Sequence, residues 1–270
     1  MIKHLSRSFA FILSFIILPP VLSAAVTLEE FSAGAAAGFF ASQPYAVLQP
    51  AALGPVPVEV YSSVADKVAS AGHYLTVSEL DLGAVPAAPA PGSAKDKADF
   101  ETLLAWQASR SRAQCTAAAA EMEHSFEVFF GKITPFVSPQ PAEVTKFFKN
   151  VGVDSVAAHR FVKDIYKRDR PFLRDARIKP CIARVSGYAY PSGHATMSRL
   201  FALILGDLAP ARRKEFIARA DEAALNRVIG GVHHPTDIEA GRILANELYR
   251  NLSREPEFVS EMDGLRSFLR

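Results

Sequence analysis

Apolar residues recur at helical spacing along most of the chain, and no sustained run of alternating apolar and polar residues indicates a strand. Residues 95–131 have a long helical pattern, residues 134–141 interrupt it, and residues 143–149 form a short stretch of helical composition. Residues 154–169 predict another helix, which we expect Pro171 to end because proline disrupts a helix interior. The fold class that follows is all-α, a helical bundle with the functional site between core helices.

A turn around Pro191 precedes a further predicted helix. Pro191 and Gly193 favour the turn, and apolar residues follow at helical spacing through Leu205, so Ser192 lies near the helix N-cap. A helix N-terminus has unpaired N–H groups and partial positive charge. Ser192 and Gly193 are therefore placed to offer backbone N–H groups to an anion, with His194 beside them. By itself, such a turn is more often purely structural.

Two basic residues upstream, Lys163 and Arg170, are seven positions apart, so two helical turns bring them to nearly the same face. Arg160 and Lys167 share that face. Taken alone, the pattern is typical of a solvated basic stripe.

Arg227 lies on the apolar stripe of a helix predicted over residues 212–229. It follows Phe216, Ala220 and Ala223 at intervals of three and four residues, so it faces the core. Because a buried guanidinium needs an anionic partner, Arg227 is a candidate anion ligand.

A histidine and a carboxylate follow this helix. Two glycines end it, and Pro235 suits the first turn of a new helix. His233 lies just before that new helix and Asp237 lies in its first turns. The carboxylate is therefore near enough to bond the imidazole.

Three motifs together resemble the signature of the type 2 phosphatidic acid phosphatase superfamily. In chain order they are Lys163-x6-Arg170-Pro171, Pro191-Ser192-Gly193-His194 and Arg227-x5-His233-x3-Asp237. The soluble branch fits best, the bacterial class A non-specific acid phosphatases, whose site is shared with vanadium haloperoxidases. The resemblance extends from Leu80 to about Tyr249. One departure is Asn226, which stands where the family usually has a serine.

The resemblance implies the role of each site residue in hydrolysis of phosphate monoesters. His233 is the nucleophile, Asp237 fixes its tautomer, and His194 is the acid that protonates the leaving oxygen. The residues that bind phosphate are Lys163, Arg170, Ser192, Gly193 and Arg227. No metal or cofactor is implied, since cationic side chains already neutralise the phosphate. An acid phosphatase of this kind is expected to be sensitive to vanadate and to work best on the acid side of neutrality.

The charge balance and the N-terminus bear on partners and location. With Lys+Arg 30 against Asp+Glu 28, the sequence makes no overall case for binding nucleic-acid polymers. Residues 1–25 have a basic start, a short apolar run and a small-residue end, which predicts a secretory signal peptide and a periplasmic location. The apolar run is too short for a comfortable membrane span, so no integral span is expected after cleavage, an uncleaved anchor being the alternative.

The remaining chain divides into an irregular, Pro/Ala-rich segment at residues 26–94 and an all-α catalytic core at residues 95–270. Cys115 and Cys181 favour a disulfide in an exported protein, with two free thiols as the alternative. The family often forms oligomers, but the sequence leaves the oligomeric state open, as it does the natural substrate and any phosphotransfer to alcohols.

Several alternatives stay open. The same motifs fit a lipid-phosphate or isoprenyl-pyrophosphate phosphatase acting at the membrane surface, a vanadium-dependent haloperoxidase, or a protein that binds phosphate without turnover. Adjacent His233 and His234 invite a zinc site, but no cysteine or third histidine lies at ligand spacing. The other histidines, His73, His124 and His159, are interpreted as structural or exposed. Lys167, Arg168 and Arg174 are interpreted as electrostatic helpers at most.

Overall fold

The computed structural model describes residues 72–77, 80 and 82–270. The α-helices within these ranges are α1 (Ala94–Ser109), α2 (Arg112–Ala120), α3 (Phe126–Phe130), α4 (Ala142–Tyr166), α5 (Pro171–Arg174), α6 (Gly193–Leu208), α7 (Arg213–Ile229), α8 (Pro235–Leu252) and α9 (Pro256–Gly264). Short 3-10 helices occupy Leu82–Ala84, Gly131–Ile133, Pro210–Arg212 and Leu265–Phe268. The described residues form no strand beyond an isolated bridge between Phe136 and Leu269. The predicted all-α fold is confirmed.

Helix α6 is the centre of the bundle. It is apolar on nearly every face and buried over most of its length, so it needs neighbours on all sides, and α4, α7 and α8 pack around it. Its N-cap is Ser192, whose Oγ accepts a hydrogen bond from the Ala195 N–H at 3.4 Å. The predicted cap is confirmed, and the start of α6 lies in the protein interior.

Helix α4 is longer than the pattern predicts and ends earlier. It includes the stretch at 143–149 and ends at Tyr166, where Lys167 adopts the left-handed conformation with φ of 46°. The expectation that Pro171 ends this helix is wrong, because Pro171 is the first residue of α5. Lys163 and Arg170 therefore lie in different elements.

The long helical pattern at 95–131 is divided into three helices. Serines at the breaks cap the new helices: Ser111 forms a capping box with Gln114, and the Ser125 side chain accepts from the Val128 N–H. These local bonds favour separate short helices over one continuous helix.

A disulfide joins Cys115 of α2 to Cys181, in the loop that precedes α6. The predicted pairing is confirmed, and it ties that loop to the helix beside it. Among the described helices, none is at once long enough and apolar enough to cross a membrane. The predicted signal peptide at residues 1–25 and most of the segment at 26–94 lie outside the described residues, and the boundary before residue 95 stays a prediction.

Candidate active site

The start of α8 brings His233 and Asp237 together. His234 is the N-cap, Pro235 is the first helical residue, and the Asp237 carboxylate turns back to accept from the His234 N–H at 2.7 Å. The same oxygen of Asp237 lies 3.3 Å from Nδ1 of His233. Because an ionised carboxylate only accepts, Nδ1 of His233 carries the proton and Nε2 keeps its lone pair. This is the tautomer that a histidine nucleophile requires.

Arg170 contacts Nε2 of His233, the ring nitrogen that does not bond Asp237. Its Nη1 lies 2.7 Å from His233 Nε2, and the guanidinium also donates to the backbone carbonyls of Ser186, Gly187 and Val232. Burial and then the nearby charge of Arg170 lower the pKa of His233 well below its ordinary value. His233 is therefore neutral at the pH at which most proteins work.

Arg168 supports the other side of Asp237. Its guanidinium lies 2.7 Å from Asp237 Oδ1, 3.0 Å from Asp96 Oδ1 and 2.8 Å from Asp99 Oδ2, and all four side chains are almost fully buried. The interpretation of Arg168 as a helper at most is therefore too weak. Asp96 and Asp99 lie three residues apart in α1, so a carboxylate pair on one helical face was the signal available in the sequence.

His194, in the first turn of α6, contacts a loop rather than another motif residue. Its Nε2 donates to the carbonyl oxygen of Glu121 at 2.6 Å, and its ring centroid lies 3.9 Å from that of His124. Burial, and then the neighbouring His124 and Arg227, hold the pKa of His194 well below its ordinary value. His124 thus belongs to the site, although the sequence did not single it out.

Arg227 is buried, as its place on the apolar stripe predicts. Its guanidinium bonds the Ala118 carbonyl and lies 3.9 Å from the Glu121 carboxylate, so the expected anionic partner is Glu121. Within the described residues, the Nε of Arg227 has no hydrogen-bond partner. A buried guanidinium with an unpaired N–H is well suited to bind an anion.

Asn226, which departs from the family pattern, bonds the Glu121 carboxylate. The Asn226 amide donates to Glu121 Oε2 at 2.9 Å, and Arg219 bonds the other oxygen of the same carboxylate. Glu121 therefore connects α7 to the loop that holds His194. Sequence reasoning missed Glu121, because nothing in its local pattern distinguishes it from a surface glutamate.

Lys163 and Arg170 are brought together with the third motif, even though they lie in different elements. Lys163 Nζ donates to the carbonyls of Tyr188 and Ala189, at 2.6 Å and 3.2 Å. Burial and then the positive charge of Arg170 lower the pKa of Lys163 to about 7. Arg170 is buried and Lys163 partly buried, and a charge shielded from water binds an anion more strongly than an exposed one.

The second motif contacts the third directly. The Ser192 N–H donates to the carbonyl oxygen of Asp237 at 2.9 Å, which joins the starts of α6 and α8. The expectation that this N–H is offered to an anion is therefore wrong. A Cβ on Gly193 would lie 2.9 Å from ring atoms of His159, so only glycine fits there without a shift. His159 is accordingly buried and structural, as predicted.

His234 is bonded within the protein. Its Nδ1 lies 3.0 Å from Asp237 Oδ2 and its Nε2 lies 3.2 Å from Nη1 of Arg174. In the described part of the chain, no group of three or more His, Cys, Asp or Glu side chains is arranged to hold a metal ion. Arg174 also bonds Asp96 through both terminal nitrogens, so it is part of the same buried network.

Comparisons with known proteins match this region. The family model described as "PAP2 superfamily" matches residues 148–246, which contain all three motifs. A non-specific acid phosphatase of Providencia stuartii is 29% identical over 150 residues, covering 54% of this chain and 60% of that protein. Its counterpart from Salmonella typhimurium is 31% identical over 143 residues, covering 51% of this chain and 56% of that protein. An acid phosphatase of Zymomonas mobilis is 32% identical over 81 residues, covering 30% and 31%.

The alignments span only a little over half the length of the first two relatives. Among solved structures, a transmembrane PAP2 type phosphatidylglycerolphosphate phosphatase from Bacillus subtilis aligns with a TM-score of 0.32 and 18% sequence identity. The alignment covers 66% of this chain and 98% of that chain. Residues 148–246 thus resemble the PAP2 superfamily, and the chain is similar to bacterial non-specific acid phosphatases.

Proposed function

We propose that the protein is an exported acid phosphatase that hydrolyses phosphate monoesters through a phosphohistidine on His233, without a metal ion. One observation carries the proposal. His233 has its proton held by Asp237 at Nδ1, and its Nε2 lies 2.7 Å from the buried guanidinium of Arg170, with the charge of Lys163 near enough to lower the pKa of His233 as well. Such a cationic environment suits the nonbridging oxygens of a phosphate, and a neutral histidine is the nucleophile beside it.

In the first step, the Nε2 lone pair of His233 forms a bond to phosphorus as the bond to the ester oxygen breaks. The negative charge of the bound ester favours the imidazolium form of His194, so the ring takes up a second proton on binding and gives it to the departing alkoxide. Since Nε2 of His194 is bonded to the Glu121 carbonyl, we assign this transfer to Nδ1. In the second step, water attacks phosphorus, His194 accepts its proton, and the bond to His233 breaks to release inorganic phosphate. Asp237 stabilises the positive charge on His233 that exists between the steps.

The periplasmic location that we propose rests on the signal peptide predicted at residues 1–25 and on the similarity to bacterial acid phosphatases. Export would also supply the oxidising compartment in which a disulfide such as Cys115–Cys181 persists. Detection of the mature protein in the cytoplasmic fraction of its host would contradict this part of the proposal.

The test of the reaction is hydrolysis of an aryl phosphate at about pH 5 to 6 in excess chelator. We expect the wild type to turn over, vanadate to inhibit it, and His233→Ala to lose activity by several orders of magnitude. His73→Ala is the matched control, because His73 is exposed and lies outside the site. Alkaline quenching followed by mass spectrometry should detect phosphate on His233 of the wild type. Full activity of His233→Ala, or loss of activity on chelation, would refute the mechanism.

The role of His194 has its own test. A phenolate such as nitrophenolate leaves without much help from an acid, whereas a simple alkoxide needs the proton. We therefore expect His194→Ala to slow hydrolysis of an alkyl phosphate far more than that of a nitrophenyl phosphate. Oxidation of halide with vanadate and peroxide, in the absence of phosphatase turnover, would favour the haloperoxidase alternative.

A further inference from the structure

An apolar groove lies beside the candidate active site. It has a volume of about 710 Å³ and lies between α4, α6 and the residues around His124. Its apolar lining includes Phe126, Phe148, Met197 and Phe201, and the charged residues Glu127, Lys149, Arg160 and Asp164 also line it. The volume is in the range of small-molecule pockets, and the predominantly apolar lining is typical of them.

The groove reaches a direct neighbour of the histidine that we assign as the acid. His124 lines the groove, and its ring is the one that lies 3.9 Å from the ring of His194. Asp164, another lining residue, is adjacent in sequence to Lys163 of the phosphate pocket. The groove then follows α4 back to Thr145, a distance of about 28 Å at 1.5 Å per residue.

We propose that this groove binds the alcohol portion of the substrate and that the preferred substrates are phosphate monoesters of alcohols with an extended alkyl chain, about eight carbons or longer. The inference rests on the proposed function. In an in-line displacement the leaving oxygen lies opposite His233 and next to the acid, His194. The rest of the alcohol must therefore extend on the His194 side, which is where His124 begins the apolar groove. An alkyl chain placed there removes its own surface and that of the groove from water.

The experiment measures kcat/KM for butyl, octyl and dodecyl phosphate, each below the concentration at which it aggregates. Each methylene that becomes fully buried in the groove should raise kcat/KM roughly fourfold, and each half-buried methylene about twofold. We therefore expect kcat/KM to rise on the order of tenfold or more from butyl to octyl phosphate. Phenyl phosphate serves as the short reference substrate.

Two variants test whether the groove is responsible. Gly152 lines it, and a Cβ added there would lie 3.7 Å from Met197, an ordinary contact, so Gly152→Leu should fold and project into the groove. Val153→Glu places a charge on the exposed rim instead. We expect both to lower kcat/KM for octyl phosphate about tenfold and to leave phenyl phosphate hydrolysis nearly unchanged. Gly264→Leu is the matched control, at an exposed glycine with open space around it.

The outcomes separate the two proposals. Equal kcat/KM for all chain lengths in an enzyme that hydrolyses phenyl phosphate would overturn the groove proposal alone. The same holds if Gly152→Leu changes only the unfolding midpoint and leaves kcat/KM for octyl phosphate at the wild-type value. Failure to hydrolyse any of the esters would overturn the proposed function and the groove proposal together.

Discussion

Removal of the Arg168 guanidinium tests how the catalytic carboxylate is held. In Arg168→Met, the methionine fills much of the same space but leaves Asp96, Asp99 and Asp237 without their shared cation. Loss of one partner from a buried ion pair typically costs 3–5 kcal/mol, because a charge is left buried without compensation. We therefore expect the free energy of unfolding to fall by about 4 kcal/mol at pH 7.5.

The loss of stability in Arg168→Met should be larger at pH 7.5 than at pH 4.5. In the wild type, burial raises the pKa of Asp237, but its bonds to His234 and His233 outweigh this and hold the pKa well below its ordinary value. A carboxylate of this kind stabilises the fold above its unfolded pKa, near 3.9, and this contribution is lost as the pH falls. Without Arg168, the buried carboxylates of Asp96 and Asp237 lose a bonded cation and bind protons at higher pH. As the pH falls, the difference in free energy of unfolding between wild type and Arg168→Met should therefore shrink by about 1.4 kcal/mol per pH unit for each carboxylate that takes up a proton.

The assay is urea unfolding of both proteins at pH 7.5 and pH 4.5, with kcat/KM measured at the same time. Arg177→Met is the matched control, because Arg177 forms an exposed pair with Asp175 and should unfold at the wild-type urea concentration. We also expect kcat/KM of Arg168→Met to fall at least tenfold, since Asp237 loses one of its supports. A stability loss below about 1 kcal/mol, or the same loss at both pH values, would refute the reasoning.

Three further predictions concern the phosphate pocket and the scaffold. Because the pKa of Lys163 is lowered to about 7, its charge is lost above neutrality, and the inhibition constant of inorganic phosphate should rise up to about tenfold per pH unit above pH 7. Lys163→Arg should move this rise to higher pH, and an unchanged ratio of the two inhibition constants from pH 6 to 9 would contradict it. Replacing Cys115 and Cys181 together by alanine, which releases a cross-link with a sequence separation of 66, should lower the free energy of unfolding by about 4 kcal/mol. A midpoint equal to that of the oxidised wild type would count against this estimate. Gly193→Ala should cost about 1–3 kcal/mol and reduce activity, because the new methyl group would press on the His159 ring. Wild-type stability and kcat/KM in this variant would show that the ring moves aside freely.

Helical periodicity was sufficient to predict the fold class, and local signals placed the starts of α6 and α8. Ser192 and Pro235 mark helix starts through local chemistry, a side-chain cap and a pre-set φ, and both lie where the sequence predicts. The end of α4 was predicted wrongly because the helix ends before the proline that was taken as its end signal. Lys167 takes the left-handed conformation four residues before Pro171, and a lysine does not indicate this conformation in the sequence.

The sequence by itself determined the motifs, since His233 and Asp237 are four residues apart and helix geometry brings them together. It also placed Arg227 on a buried stripe, because that depends only on helical period. Only the tertiary structure decided what holds these groups. Arg168 meets Asp96 across 72 residues of chain, and Asn226 meets Glu121 across 105. Such contacts follow from how the helices pack, and no local spacing encodes them. The apolar groove beside His194 has the same origin, because its walls come from helices that are distant in sequence.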